Sequence, residues 1–84
     1  MSKKNITIYS TTTCGYCKML KSYLQSKDID YEEKLADKDP AIAQELVQKS
    51  NQMGVPFTII EEDGKETGIL GFDKQKVDQV LGIS

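Results

Sequence analysis

Cys14 and Cys17 are the residues with the most chemistry to offer, and only two residues separate them. The thiolate is the reactive form of cysteine, and a free thiol titrates near ~8.5. A Cys-x-x-Cys spacing in the first turn of a helix brings two sulfurs within bonding reach. The loop it closes is too short to add much stability, so such a disulfide is there to be opened. The sequence has no histidine. That removes the Ser-His-Asp triad, the Cys-His nucleophile pair and every imidazole ligand. Two cysteines are also too few for a disulfide framework or for the four ligands of a structural zinc site within one chain. Redox chemistry is the main reading that remains. The competing one is half of a metal site, in which two copies joined through Cys14 pool four thiolates for zinc or an iron–sulfur cluster.

The elements that must position this pair can be read from periodicity. Ile6 to Tyr9 alternates and is rich in β-formers, predicting a strand. Ser10 to Thr13 is a short polar loop. From Cys14 the period becomes helical, with Cys17, Leu20 and Leu24 forming the stripe and Tyr16 and Tyr23 on its flanks. Tyr31 to Leu35 predicts a second strand. Asp39-Pro40 is a cap followed by a proline suited to the first helical position. The helix after it carries an Ile42, Leu46, Val47 stripe and is expected to fray through Ser50, Asn51 and Gln52. Phe57 to Ile60 and Thr67 to Leu70 read as two strands joined by a turn at Asp63-Gly64. Asp73 caps a last helix bearing Val77, Val80 and Leu81, and Gly82 ends it. With 84 residues, one domain over 1–84 is expected. A strand-helix-strand start implies a parallel pair with a right-handed crossover. The whole predicts an α/β fold, a small mixed sheet with helices on its faces.

Placed on a strand-to-helix junction, the two cysteines acquire different expectations. Cys14 sits where the first helical amides lack intrahelical partners, and the helix dipole favours negative charge there. In such motifs the thiol pKa falls to about 3.5–7.5. Cys14 is therefore read as the nucleophile, and the more buried Cys17 as the resolving thiol. Lys18 and Lys21 are read as solvated, with added positive charge near Cys14 as the alternative. Tyr16 is read as a wall of a substrate groove. Pro56 begins a strand, where it serves either as an edge device or, with a cis bond after Val55, to turn the Val55 backbone toward an extended substrate. Gly71-Phe72-Asp73 is either a helix cap alone or an anion site built from helix-start amides.

The remaining composition acts by exclusion. Eleven lysines face thirteen acids with no arginine, a net charge of −2. This is not the footprint of a nucleic-acid binder. Met1 to Asn5 is polar, no signal-peptide core follows, and no stretch approaches the ~18 apolar residues of a membrane span. A cytoplasmic protein that needs neither nucleic acid nor membrane is expected.

Taken together, the Ile6–Tyr9 strand, Cys14-Gly15-Tyr16-Cys17, Gly54-Val55-Pro56 and Gly71-Phe72-Asp73 resemble a glutaredoxin over nearly the whole chain. The resemblance implies a thioredoxin fold, with a four-stranded mixed β-sheet flanked by three α-helices. It implies a cis Val55-Pro56 bond and a thiol–disulfide oxidoreductase, monomeric and without a tightly bound cofactor. Its partners would be disulfide-containing proteins, with glutathione as co-substrate. Glutathione would lie across Tyr16, pair with the backbone of Val55 before Pro56, and set its γ-glutamyl carboxylate on the amides of Phe72 and Asp73. The chain departs from the family's pattern at Gly15, often proline; at Thr11, often lysine; at Gly54, usually threonine; and at Leu70-Gly71, usually paired glycines. Gly71-Phe72 is also similar to glutaredoxin-like electron donors of ribonucleotide reductase, which take electrons from thioredoxin reductase and bind glutathione poorly.

Overall fold

The computed structural model describes residues 4–52 and 54–82. Four strands, β1 (Asn5–Ser10), β2 (Glu32–Leu35), β3 (Phe57–Glu62) and β4 (Lys65–Leu70), and three helices, α1 (Gly15–Ser26), α2 (Pro40–Ser50) and α3 (Lys74–Leu81), follow the predicted order. The sheet runs β2-β1-β3-β4. β1 and β2 are parallel, while β3 is antiparallel to both β1 and β4. This is the mixed sheet of a thioredoxin fold.

Alternation on β1 sorts the helices onto two faces. Ile6 and Ile8 join Ile60 and Ile69 beneath Leu20 and Leu24 of α1 and Val77 of α3. Tyr9 faces the other way, where Phe57, Ile59 and Ala36 pack with Leu46 of α2. The expected stripe of α2 needs correction. Leu46 is fully buried, but Val47 is 38% exposed, because at 100° per residue only one of two adjacent positions can face the sheet. Nor does α2 fray. Asn51 adopts a left-handed conformation at φ 63° and donates its N–H to the Val47 carbonyl at 2.7 Å, closing the helix where asparagine is one of the few residues suited to do so.

Asp39 and Asp73 cap α2 and α3 as read, accepting N–H bonds from Ala41 and Lys76. The hairpin turns at Asp63 and Gly64, both with positive φ, as a primed turn requires. One further glycine is demanded by packing. A Cβ on Gly68 would lie 2.8 Å from the Phe57 ring, so β4 leaves that space to an aromatic side chain of β3.

Among the described residues, Thr58 Oγ1 is the one buried side-chain polar atom without a hydrogen-bond partner. A buried unpaired hydroxyl costs about 1–3 kcal/mol in desolvation. Thr58→Val keeps the shape and removes the hydroxyl. It should raise stability by about 1 kcal/mol, read as a higher Tm in thermal unfolding; a lower Tm would show that the hydroxyl has a partner.

Candidate active site

The register brings the chemically informative segments to one end of the sheet. Tyr9, Phe57 and Leu70 are aligned across β1, β3 and β4. The residues adjoining them at that end, Ser10, Pro56 and Gly71, therefore lie side by side. The cysteine motif leaves this end through the 11–13 loop. Val55-Pro56 is cis, as the resemblance implied. Gly71, at φ 75°, donates its N–H to the Pro56 carbonyl at 2.7 Å and ties the β4–α3 turn to the start of β3.

Cys14 is the N-cap of α1, with extended backbone angles (φ −85°, ψ 112°). Its Sγ accepts the N–H of Cys17 at 3.1 Å. The first amide turn of the helix is thus aimed at this sulfur, and a negative charge on it would be stabilised by that donor and by the dipole behind it. Cys14 is partly exposed, whereas Cys17 is fully buried. The two are joined as a disulfide with a Cα–Cα distance of 5.3 Å. No acidic residue occupies the first turn of α1.

The surroundings of the sulfurs divide the predicted residues. Tyr16 stands 65% exposed beside Met19, and the two form a shallow apolar recess with Gly15. Val55 is partly buried and Pro56 is buried at the opposite side. Phe72 is partly buried, its ring tilted against Tyr23 with centroids 6.2 Å apart. Asp73 uses its carboxylate on the Lys76 amide. Tyr23 donates to Asp78, which also takes Lys74 at 2.9 Å, so α1 and α3 are tied just behind Phe72. Lys21 pairs with Glu33 at 2.5 Å and is committed there, not to Cys14, while Lys18 is exposed.

One contributor escaped the sequence reading. Asp37 accepts both the N–H and the hydroxyl of Thr12, at 3.0 and 2.5 Å, and so holds the loop that leads into Cys14. These bonds keep its carboxyl below the usual aspartate value, with the hydroxyl bond the largest cause. The run Thr11-Thr12-Thr13 was a hint that hydroxyls and amides there seek an acceptor. Nothing in the sequence says which carboxylate, 25 residues away, supplies it.

Gly15 is a position where a side chain meets nothing within 4 Å. It is the first residue of α1, where the amide has no intrahelical acceptor, and Cys14 already has the extended backbone that precedes proline. Gly15→Pro should therefore fold and gain about 0.4–1 kcal/mol by restricting the unfolded chain. The check is the denaturant midpoint of the oxidised protein. A fall would mean that the Gly15 backbone departs from proline's range.

A model of the glutaredoxin family matches residues 6–65. A glutaredoxin-like 8.6 kDa protein from the rubredoxin operon of Clostridium pasteurianum is 41% identical over 76 residues, covering 90% of this chain and 96% of that protein. Among solved structures, a mutant of the thioredoxin-like protein BC3987 superposes with a TM-score of 0.82 at 29% identity, covering 95% of this chain and 97% of that one. A buckwheat glutaredoxin in complex with glutathione superposes with a TM-score of 0.68 at 28% identity, over 94% of this chain and 71% of that one. With a Cys-x-x-Cys at the start of α1 and a cis proline facing it, the match leaves one assignment: the chain belongs to the glutaredoxin family of thiol–disulfide oxidoreductases.

Proposed function

We propose that this protein is a cytoplasmic, monomeric, glutathione-dependent reductase of protein disulfides and glutathione mixed disulfides, with no tightly bound cofactor. The observation that carries the reading is the Cys17 N–H aimed at the partly exposed Cys14 sulfur, with Cys17 itself buried. Cys14, as thiolate, attacks one sulfur of the substrate disulfide. A Cys14–substrate bond forms, the substrate S–S bond breaks, and the departing sulfur leaves with the electron pair and takes up a proton. Cys17 then gives up its proton and attacks the Cys14 sulfur. The intramolecular disulfide forms and the second substrate thiol is released. Two glutathione thiols reverse the oxidation, leaving glutathione disulfide and a reduced cysteine pair.

Tyr16 offers glutathione an exposed ring to lie on. Val55, before the cis bond to Pro56, offers backbone groups to its cysteinyl part. Phe72 and Asp73 offer amides at the start of α3 to its γ-glutamyl carboxylate. That a buckwheat glutaredoxin of the same fold was solved as a glutathione complex supports glutathione as the ligand class.

One observation favours a second reading, in which thioredoxin reductase supplies the electrons. Asp37 sets a carboxylate against the loop that leads into Cys14, and glutathione is itself an anion. Following NADPH oxidation with each reductant system in turn separates the two. Turnover with glutathione and glutathione reductase is expected, and turnover only with thioredoxin reductase would overturn the proposal. The division of labour is checked by trapping. Cys17→Ser should accumulate a mixed disulfide at Cys14, visible as an added mass. Accumulation in Cys14→Ser instead would mean that the two roles are reversed.

A further inference from the structure

A second polar device lies beneath the motif, on the α1 face of the sheet. Ser10, the last residue of β1, is fully buried, yet it is not idle. Its hydroxyl donates to Glu33 Oε2 on β2 at 2.7 Å, and the same oxygen takes Lys21 Nζ of α1 at 2.5 Å. Both bonds hold the Glu33 carboxyl below its usual range, the lysine contributing most. With its one proton committed to Glu33, the Ser10 oxygen has only lone pairs left to offer inward.

The register of α1 on β1 decides what meets those lone pairs. The stripe Cys17, Leu20, Leu24 runs back along the strand, with Leu20 and Leu24 in the same cluster as Ile8 and Ile6. Cys17 precedes Leu20 by one turn, about 5 Å of helix, and Ser10 follows Ile8 by two residues, about 7 Å of strand, so the progression carries both toward the disulfide end of this face. Lys21 follows Cys17 by one turn and reaches down to the same carboxylate. The other buried hydroxyl on this face, Thr58, is aligned with Ile8, one level further from the sulfurs.

We propose that Ser10, oriented by Glu33 and Lys21, accepts the S–H of Cys17 and keeps that thiol protonated, so that only Cys14 ionises near neutral pH. The inference rests on the roles proposed above and supplies a physical cause for their difference. Cys14 faces an N–H donor, which favours its thiolate, whereas Cys17 faces an oxygen that can only accept, which favours its thiol. Ser10, Glu33 and Lys21 are positioning residues in this scheme. The charged and titratable groups around Glu33 are Lys21 from α1, and Asp28, Asp30 and Tyr31 from the segment before β2, which share a solvent-open recess with it. Cys14 is the ionisable neighbour of Cys17 on the motif side.

The test titrates each thiol alone by its ultraviolet thiolate absorbance, Cys17 in the Cys14→Ser protein and Cys14 in the Cys17→Ser protein. Without further substitution, Cys14 should titrate below Cys17; the reverse order would overturn the roles themselves. Glu33→Gln removes the charge that holds the Ser10 proton, leaves Lys21 uncompensated, and should lower the Cys17 pKa by about one unit, about tenfold more thiolate at a given pH. Lys21→Met leaves Glu33 uncompensated and should move it the other way. Neither should move Cys14 comparably, and Thr58→Val should move neither thiol. Opposite signs from the two variants cannot come from loosened packing alone. An unchanged Cys17 titration, equal movement of both cysteines, or the same sign from both variants would overturn the proposal.

Discussion

The structure is organised around the start of one helix. The first amides of any α-helix lack acceptors within it, and here one of them is given a sulfur: the Cys17 N–H points at Cys14. That arrangement holds only while the helix begins where it does and does not slide. Burial of Leu20 and Leu24 against β1 fixes the helix along its length. Asp37 fixes the approach by holding Thr12, and the Cys14 N–H closes the turn on the Thr11 carbonyl at 3.3 Å. The opposing wall, at Pro56, is in turn held to Gly71 by a backbone bond.

Among the described residues, three ion pairs with hydroxyl partners serve as cross-links between elements. Lys21–Glu33–Ser10 joins α1 to the sheet, Lys34–Glu45–Tyr9 joins α2 to it, and Lys74–Asp78–Tyr23 joins α3 to α1. Exposed pairs contribute little by charge alone, since water and salt screen them. Their value here is in direction. In each, a hydroxyl from another element shares the carboxylate, so the pair specifies which two elements meet. Tyr9 illustrates what such a partner does to a buried hydroxyl. Burial first, and the Glu45 carboxylate second, make its hydroxyl far harder to ionise than a free tyrosine, so it remains a donor at any physiological pH.

Much of this was legible before any coordinates. Caps at Asp39 and Asp73, the turn at Asp63-Gly64, the Cys17-Leu20-Leu24 stripe and the strand order rest on local rules, and local rules operate over a few residues. The site was legible to the extent that it sits at element ends: Cys14 before α1, Pro56 before β3, Asp73 before α3. What stayed hidden depends on partners distant in the chain. Asp37 reaches Thr12 and Glu33 reaches Ser10 only because β2 lies parallel beside β1. The stripe on α2 misleads at Val47 for a different reason. Two adjacent apolar residues leave the helical phase ambiguous, and the sheet chose Leu46. Asn51 reads in the sequence as a polar fraying end, but its tolerance of left-handed geometry makes it a stop.

The hairpin turn lies at the far pole of the sheet from the disulfide. β3 and β4 run six residues each between Leu70, at the disulfide end of the sheet, and Asp63-Gly64. Exposed loop tips of this kind tolerate added sequence. The molecule therefore has a working pole and a pole open to elaboration. A tether, a targeting segment or a second module grafted at the hairpin would be carried about a strand's length from the electron exchange. A small oxidoreductase of this build can be placed in new surroundings without redesigning its sulfur chemistry.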